Sequence, residues 1–299
     1  MPLNERHAIK AELSPPFVIH EPRQQTTPLV FCSPHSGRVY PRILLDMTCL
    51  DAHSLRKSED CYVDELFESA PLAGAPLIEA RFPRAYLDVN REPFELDPEL
   101  FEEPLPSFAN AQTMRVIGGL GTIPRVVAEA EEIYDRPLSL AVAMERIEQL
   151  YRPFHQALDE LLQRTRAQFG YAVLIDCHSM PSASVTFPAS ARPEFILGDR
   201  FGGSCDFRVT RCARQVISNL KYQVQLNRPY AGGFITEHYG RPADQFHALQ
   251  IEINRGLYLN EQSLERSRRF ESFKADIAEL ICGLTANIPA ALEGRLAAE

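Results

Sequence analysis

Apolar and polar positions along the chain fall into two periods, and the runs they form predict strands and helices in turn. Residues 171–175 (YAVLI) are apolar and rich in β-formers, as in a buried strand. The chain then turns polar at Asp176, Cys177, His178 and Ser179. Three other strand-like runs end in the same way. Residues 29–33 (LVFCS) lead into Pro34-His35-Ser36-Gly37, and residues 85–89 (AYLDV) into Asn90-Arg91. Residues 248–253 (ALQIEI) carry Glu252 near their end, with Asn254-Arg255 after it. Shorter strands are predicted at 77–80, 194–197 and 222–226.

Helical spacing appears between these runs. Val63, Leu66, Phe67 and Ala70 fall at i, i+3, i+4 and i+7, with Ser58 as a cap, which puts Asp60 and Asp64 in the first turns. Leu140, Met144, Ile147, Leu150, Phe154, Leu158 and Leu161 share one face of a helix over 139–169, capped by Ser139 and stopped by Gly170. Further helices are predicted at 126–134, 206–220 and 261–282. Residues 1–27 read as a polar lead-in with at most one short strand. Residues 92–112 hold six carboxylates and four prolines and predict a long surface loop.

Strands alternating with helices predict an α/β fold: three layers, a mostly parallel mixed sheet with helices on both faces. Ligands in such sheets sit just past the carboxyl ends of the strands. His35, His178, Glu252 and Asn90-Arg91 would then gather at one edge. No repeat or linker-like break appears, so a single domain over 1–299 is expected, with 1–27 as its lead-in.

Charge narrows the partners. Lys and Arg total 31 against 40 Asp and Glu, a net −9. This argues against nucleic acid and anionic membranes, which call for basic surface, and leaves a small-molecule substrate. Seven dispersed cysteines without CxxC spacing predict reduced thiols. With no signal-like core at the N-terminus and no run near the ~20 apolar residues of a membrane span, a soluble cytoplasmic protein is expected. The oligomeric state is not legible.

Two histidines from separate strand ends plus one carboxylate make the ligand set of a catalytic zinc with an open position. His35 and His178 are the histidines. Asp60 is chosen over Glu59 as the carboxylate, although a plain helix N-terminal charge would explain it too. Iron, cobalt or manganese would also fit such a set. Glu252 is the candidate base, since a charge inside an apolar run needs a task or a partner; Arg255 is the alternative partner. Arg91 with Asn90 could grip a substrate carboxylate, or neutralise the acidic loop beside it. Arg84 and Arg125 are further substrate candidates. His238 could orient substrate or simply pack in its loop. GGLG at 118–121 lacks a GK[ST] ending and reads as a turn; no GxSxG elbow is present. Cys177 points away from the His178 face, toward the core. His53 and His155 follow no strand and take surface or core roles.

SPHSGRVYP, SEDCYVDEL, RFPRAYLDVNREP, DCHSMP and GGFITEHYGRPADQFHALQIEINRGLY together resemble the N-formylglutamate amidohydrolase family, in matching order over residues 28–265. The resemblance implies a zinc-exopeptidase-like α/β fold (phosphorylase/hydrolase-like). It also implies cleavage of N-formyl-L-glutamate to formate and glutamate, the last step of one histidine-degradation route. By motif it gives His35, Asp60 and His178 to the metal, Glu252 to catalysis, and Asn90 with Arg91 to the substrate carboxylates. Two departures stand out. The wider fold's HxxE motif is absent, with Arg38 three residues after His35; and Cys61 stands where related deformylases often have an aromatic. The alternatives are a related hydrolase acting on another N-acyl amino acid or a short peptide, or a non-catalytic metal- or ligand-binding protein on the same scaffold.

Overall fold

The computed structural model describes residues 2–127, 130–184 and 193–294. They form two compact units, each assembled from separate stretches of chain. The first comprises Met1–Val18, Pro34–Cys61 and Glu79–Leu158; the second Ile19–Ser33, Tyr62–Ile78 and Asp159–Glu299.

Seven strands form one mixed sheet: β1 (Phe17–His20), β2 (Leu29–Ser33), β3 (Leu77–Ala80), β4 (Ala172–Met180), β5 (Phe195–Gly198), β6 (Val224–Leu226) and β7 (Phe246–Asn254). Their order is β1-β3-β2-β4-β7-β5-β6. β2, β4 and β7 run parallel, β5 is antiparallel to β7, and β6 is parallel to β5. The mostly parallel mixed α/β sheet expected from the sequence is the one found.

β4 does not stop at residue 175, where its polar residues begin. Its ladder to β7 continues through His178↔Glu252 to Met180↔Asn254, because backbone pairing is indifferent to side-chain polarity. Period two then sorts the side chains. Asp176 and His178 share one face with their register partners Gln250 and Glu252, while Cys177, Ile251 and Ile253 share the other. The apolar face is covered by the Phe270–Leu292 helix, whose Phe273 ring lies 6.2 Å from that of Phe195 in β5. The Phe207–Asn219 helix, capped by Asp206, buries Val209, Ala213, Val216 and Ile217, and Val216 packs on Gly283 of the C-terminal helix. Each fully buried aliphatic or phenyl side chain in these layers contributes about 1.5–3 kcal/mol. The Phe270–Leu292 helix is long and apolar enough to cross a membrane, but its buried face on this layer accounts for its apolar residues. Over the polar face lies the short Phe234–Tyr239 helix, in a stretch read as a loop.

In the first unit, Ser139 caps the Leu140–Arg146 helix as expected, accepting from the Ala141 N–H. A π-turn (Ile147–Tyr151) joins it to Arg152–Phe169, and Gly170, at φ +86°, ends the run. The lead-in is not mere coil: Pro2–Glu12 is a helix packed on Leu140–Arg146.

Four further expectations are corrected. Residues 85–89 form turns, not a strand, because side chains capture their carbonyls: Arg146 Nη1 donates to Tyr86 O (3.1 Å) and the His155 ring nitrogen Nε2 to Val89 O (2.9 Å). Residues 126–134 are not a helix. Val126 bridges Glu132, and the Val127 N–H reaches Glu131 O (2.9 Å), as β-branched residues favour; residues 128–129 of that stretch lie outside the described ones. Ser58 caps no helix; its hydroxyl donates back to Leu55 O, and a single turn, Val63–Leu66, opens at Tyr62 in the left-handed region. The last helix begins at Phe270, after a small hairpin of Leu259–Asn260 with Glu265–Arg266.

Candidate active site

In the first unit the candidate residues centre on His35. The PHSG turn needs glycine at position 37: a Cβ there would meet Phe82 O at 2.0 Å, so only a bare backbone lets the RFPR segment lie against it. That close approach brings Asp88 to His35, with Asp88 Oδ1 2.7 Å from His35 Nε2. His35 is 1% exposed and Asp88 1%. A carboxylate on Nε2 fixes the proton there and presents Nδ1 as the lone-pair atom. Nδ1 lies 3.4 Å from Asp60 Oδ2. Two donors bound at about 2.0–2.1 Å to a tetrahedral ion sit about 3.3–3.4 Å apart, so this spacing suits a shared metal. The Asp60 N–H also donates to His35 O (3.1 Å), tying the two segments together.

Glu59, the neighbouring carboxylate, is occupied elsewhere. It receives the Tyr40 hydroxyl, Arg56 Nε (3.2 Å) and the Cys61 thiol (3.3 Å).

Asp88 is charged by its surroundings. Burial alone would raise its pKa, but the Arg84 and Arg91 guanidiniums beside it hold it well below the usual carboxylate range. Arg84 Nε lies 3.0 Å and Arg91 Nη2 3.5 Å from Asp88 Oδ2. Arg91 Nε and Nη1 donate to the carbonyls of Leu120 and Asn90 (both 2.8 Å). Burial pushes the Arg91 guanidinium down to about 10, so it remains a cation at neutral pH. The Asn90 N–H donates to Asp88 Oδ1 (2.8 Å).

In the second unit the candidate residues lie on the polar face of β4 and β7. His178, 3% exposed, has Nε2 2.9 Å from Asp176 Oδ1, repeating the carboxylate-on-Nε2 arrangement of His35. The contact has ion-pair distance without hydrogen-bond angles, since Asp176 Oδ1 has no hydrogen-bonded partner. Thr236, from the Phe234–Tyr239 helix, donates to Asp176 Oδ2 (3.2 Å). Glu252 stands at the register position of His178, and Gln250 Nε2 donates to its Oε1 (2.8 Å). Gln250 is itself held by the Gly233 N–H (2.7 Å). A carboxylate so fixed keeps its other oxygen aimed and can accept a proton.

The remaining candidates have other partners. Arg125 is engaged by Asp97 (2.7 Å), Glu132 and Glu99 (3.3 Å), so the turn at GGLG carries it to the acidic loop. His238 is exposed and stacked on Phe234 at 5.0 Å, and burial of its ring with Arg241 nearby lowers its pKa. Cys177 is buried on the opposite face, and that burial pushes its thiol up.

Two residues were missed by the sequence reading, Asp88 and Asp176. Asp176 had a signal, for two residues before a strand histidine is the same face. Asp88 had none once its segment was taken as a strand.

His35, Asp60 and His178, all buried, are a donor set that could hold a metal ion. A family model described as N-formylglutamate amidohydrolase matches residues 27–259. The N-formylglutamate deformylase of Pseudomonas putida is 31% identical over 241 residues, 80% of this chain and 84% of that protein. The deformylase of Pseudomonas aeruginosa is 29% identical over 265 residues, 87% and 93% of the two chains. Among solved structures, N-formylglutamate amidohydrolase from Ralstonia eutropha superposes with a TM-score of 0.84 at 35% identity, covering 89% of this chain and 96% of that one. With the match running from the strand before PHSG to the end of the QIEINR segment, the chain belongs to the N-formylglutamate amidohydrolase family.

Proposed function

We propose that the protein hydrolyses the formyl amide of N-formyl-L-glutamate, releasing formate and L-glutamate. The relatives named for that activity support the substrate. The observation that carries the chemistry is the face shared by His178 and Glu252, a metal-type histidine beside a buried carboxylate.

His35, Asp60 and His178 would hold one divalent metal, with Zn²⁺ the first choice for a mixed nitrogen and oxygen set. Such an ion, when bound, polarises a carbonyl oxygen and acidifies water. Asp88 keeps the proton on Nε2 of His35, and Asp176 lies against Nε2 of His178 at 2.9 Å. Glu252 accepts one proton of the attacking water and delivers it to the amide nitrogen as the C–N bond breaks; the other stays on the departing formic acid, which ionises to formate as the free amine takes up a proton. Arg84 and Arg91 offer positive charge for the glutamate carboxylates, beyond what Asp88 neutralises, and Asn90 offers a neutral amide donor beside them. His238, exposed, would orient substrate; Arg125 would reach substrate only by exchanging one of its three carboxylate partners. The free cysteines accord with a reducing compartment, the cytoplasm, and the reaction would serve histidine degradation.

Buried Cys61, where related deformylases often carry an aromatic, is the one feature favouring another acyl group. A substrate comparison separates the readings. Formate release from N-formylglutamate should exceed that from N-formylglutamine by at least tenfold, since losing a charge-assisted partner costs about 1.5–3 kcal/mol. N-acetylglutamate should be hydrolysed more slowly still. Equal rates on the acid and the amide, or on formyl and acetyl, would exclude N-formylglutamate as the substrate.

A further inference from the structure

The N-terminal helix lies outside the residues matched to the family, yet it carries a carboxylate into the interior of the first unit. Glu5 and Arg146 are both 0% exposed. Arg146 Nε donates to Glu5 Oε1 at 2.6 Å, and the Tyr86 hydroxyl donates to the same oxygen. Arg146 Nη1 donates to Tyr86 O (3.1 Å) and to the Tyr134 hydroxyl (2.8 Å), and its guanidinium lies 3.9 Å from the centre of the Tyr86 ring. Glu5 Oε2 and Arg146 Nη2 have no hydrogen-bond partner.

Stability alone is a poor account of this arrangement. Desolvating two charges costs about as much as their attraction returns, and two unsatisfied polar atoms add to the cost. What the ion pair does fix is Tyr86, at both its hydroxyl and its carbonyl. Tyr86 sits two residues before Asp88, in a segment with no strand ladder to hold it. The same helical stretch then holds the rest of the turn, with His155 at Val89 O (2.9 Å) and Tyr151 at Arg91 O (2.7 Å).

We propose that Glu5 and Arg146 are positioning residues for the metal site: by clamping Tyr86 they set Asp88 against His35 Nε2, so that Nδ1 is held ready as the donor. The inference rests on His35 being a metal ligand, as argued above. It makes the N-terminal helix part of the site's support, although it touches no reacting atom.

The test uses the full chain with Glu5→Leu and Arg146→Met combined, which replaces the pair by apolar side chains without stranding a charge. Zn²⁺ affinity is measured by competition with a chromophoric chelator, beside Tm and formate release. The expected result is a folded protein, its Tm lowered by the buried Tyr86 and Tyr134 groups left without partners, with Zn²⁺ binding weakened about tenfold, the lower end of the 10–100-fold seen when outer-shell partners are lost. Unchanged Zn²⁺ affinity in the folded double variant would overturn the proposal. Should that variant not fold, Tyr86→Phe removes a single hydroxyl from the same link; weaker Zn²⁺ binding supports the proposal and unchanged binding overturns it. If Zn²⁺ affinity falls as expected while wild type leaves N-formylglutamate intact, only the substrate reading fails. A wild type that binds no metal would overturn both.

Discussion

His178→Ala leaves a folded protein that no longer retains stoichiometric metal and has lost nearly all activity. The substitution removes one of three protein donors, and three are the usual minimum for a catalytic zinc. The fold survives because His178 belongs to a ladder held by backbone bonds on both sides of position 178. The cost falls on Asp176, buried at 0%, which loses its imidazole neighbour. An uncompensated buried polar group costs about 1–3 kcal/mol, more when it is charged, against about 5–15 kcal/mol for a typical domain. Metal content by atomic absorption, with circular dichroism as the control for folding, reads the outcome. A folded His178→Ala protein that keeps one metal per chain would remove His178 from the ligand set.

Glu252→Gln has the opposite signature. Glutamine is isosteric, and its side-chain oxygen can still accept from Gln250 Nε2, so the local geometry is retained. Metal content and KM should therefore stay near wild type. What is lost is the ability to take a proton from water and return it to the leaving nitrogen. General acid–base groups contribute about 10²–10⁴-fold, so kcat should fall by that order. Near-normal turnover would make Glu252 only a structural polar residue, the alternative that Arg255 once offered. Arg255 Nε donates to Ser179 Oγ (3.1 Å).

The parts of the fold legible in the sequence are those whose signal is local. Residues 29–33 (LVFCS) and 77–80 (LIEA) are short, largely apolar runs and form strands with those bounds. Ser139 and Gly170 act where a cap and a left-handed stop are chemically required. His178 and Glu252 were readable because a polar residue inside an apolar strand needs a reason. The turn at 85–91 was not readable, for its conformation is set by Arg146, Tyr151 and His155, about 60 residues away in the chain. Apolar residues at 85, 86, 87 and 89 imitate a strand when those donors are unseen. Asp88 was hidden by that error, and so was the work of His155. Glu5 is the extreme case: it lies in a polar stretch with little helical periodicity, and its partner is 141 residues away.

The account depends most on one joint claim, that a bound divalent metal and this chain together release formate from N-formyl-L-glutamate. The direct measurement is formate production by purified protein before chelation, after exhaustive chelation and dialysis, and after return of one equivalent of Zn²⁺. The predicted result is activity that disappears with the metal and comes back with it. Formate release that persists in metal-free protein, or none in protein carrying one metal per chain, would contradict it.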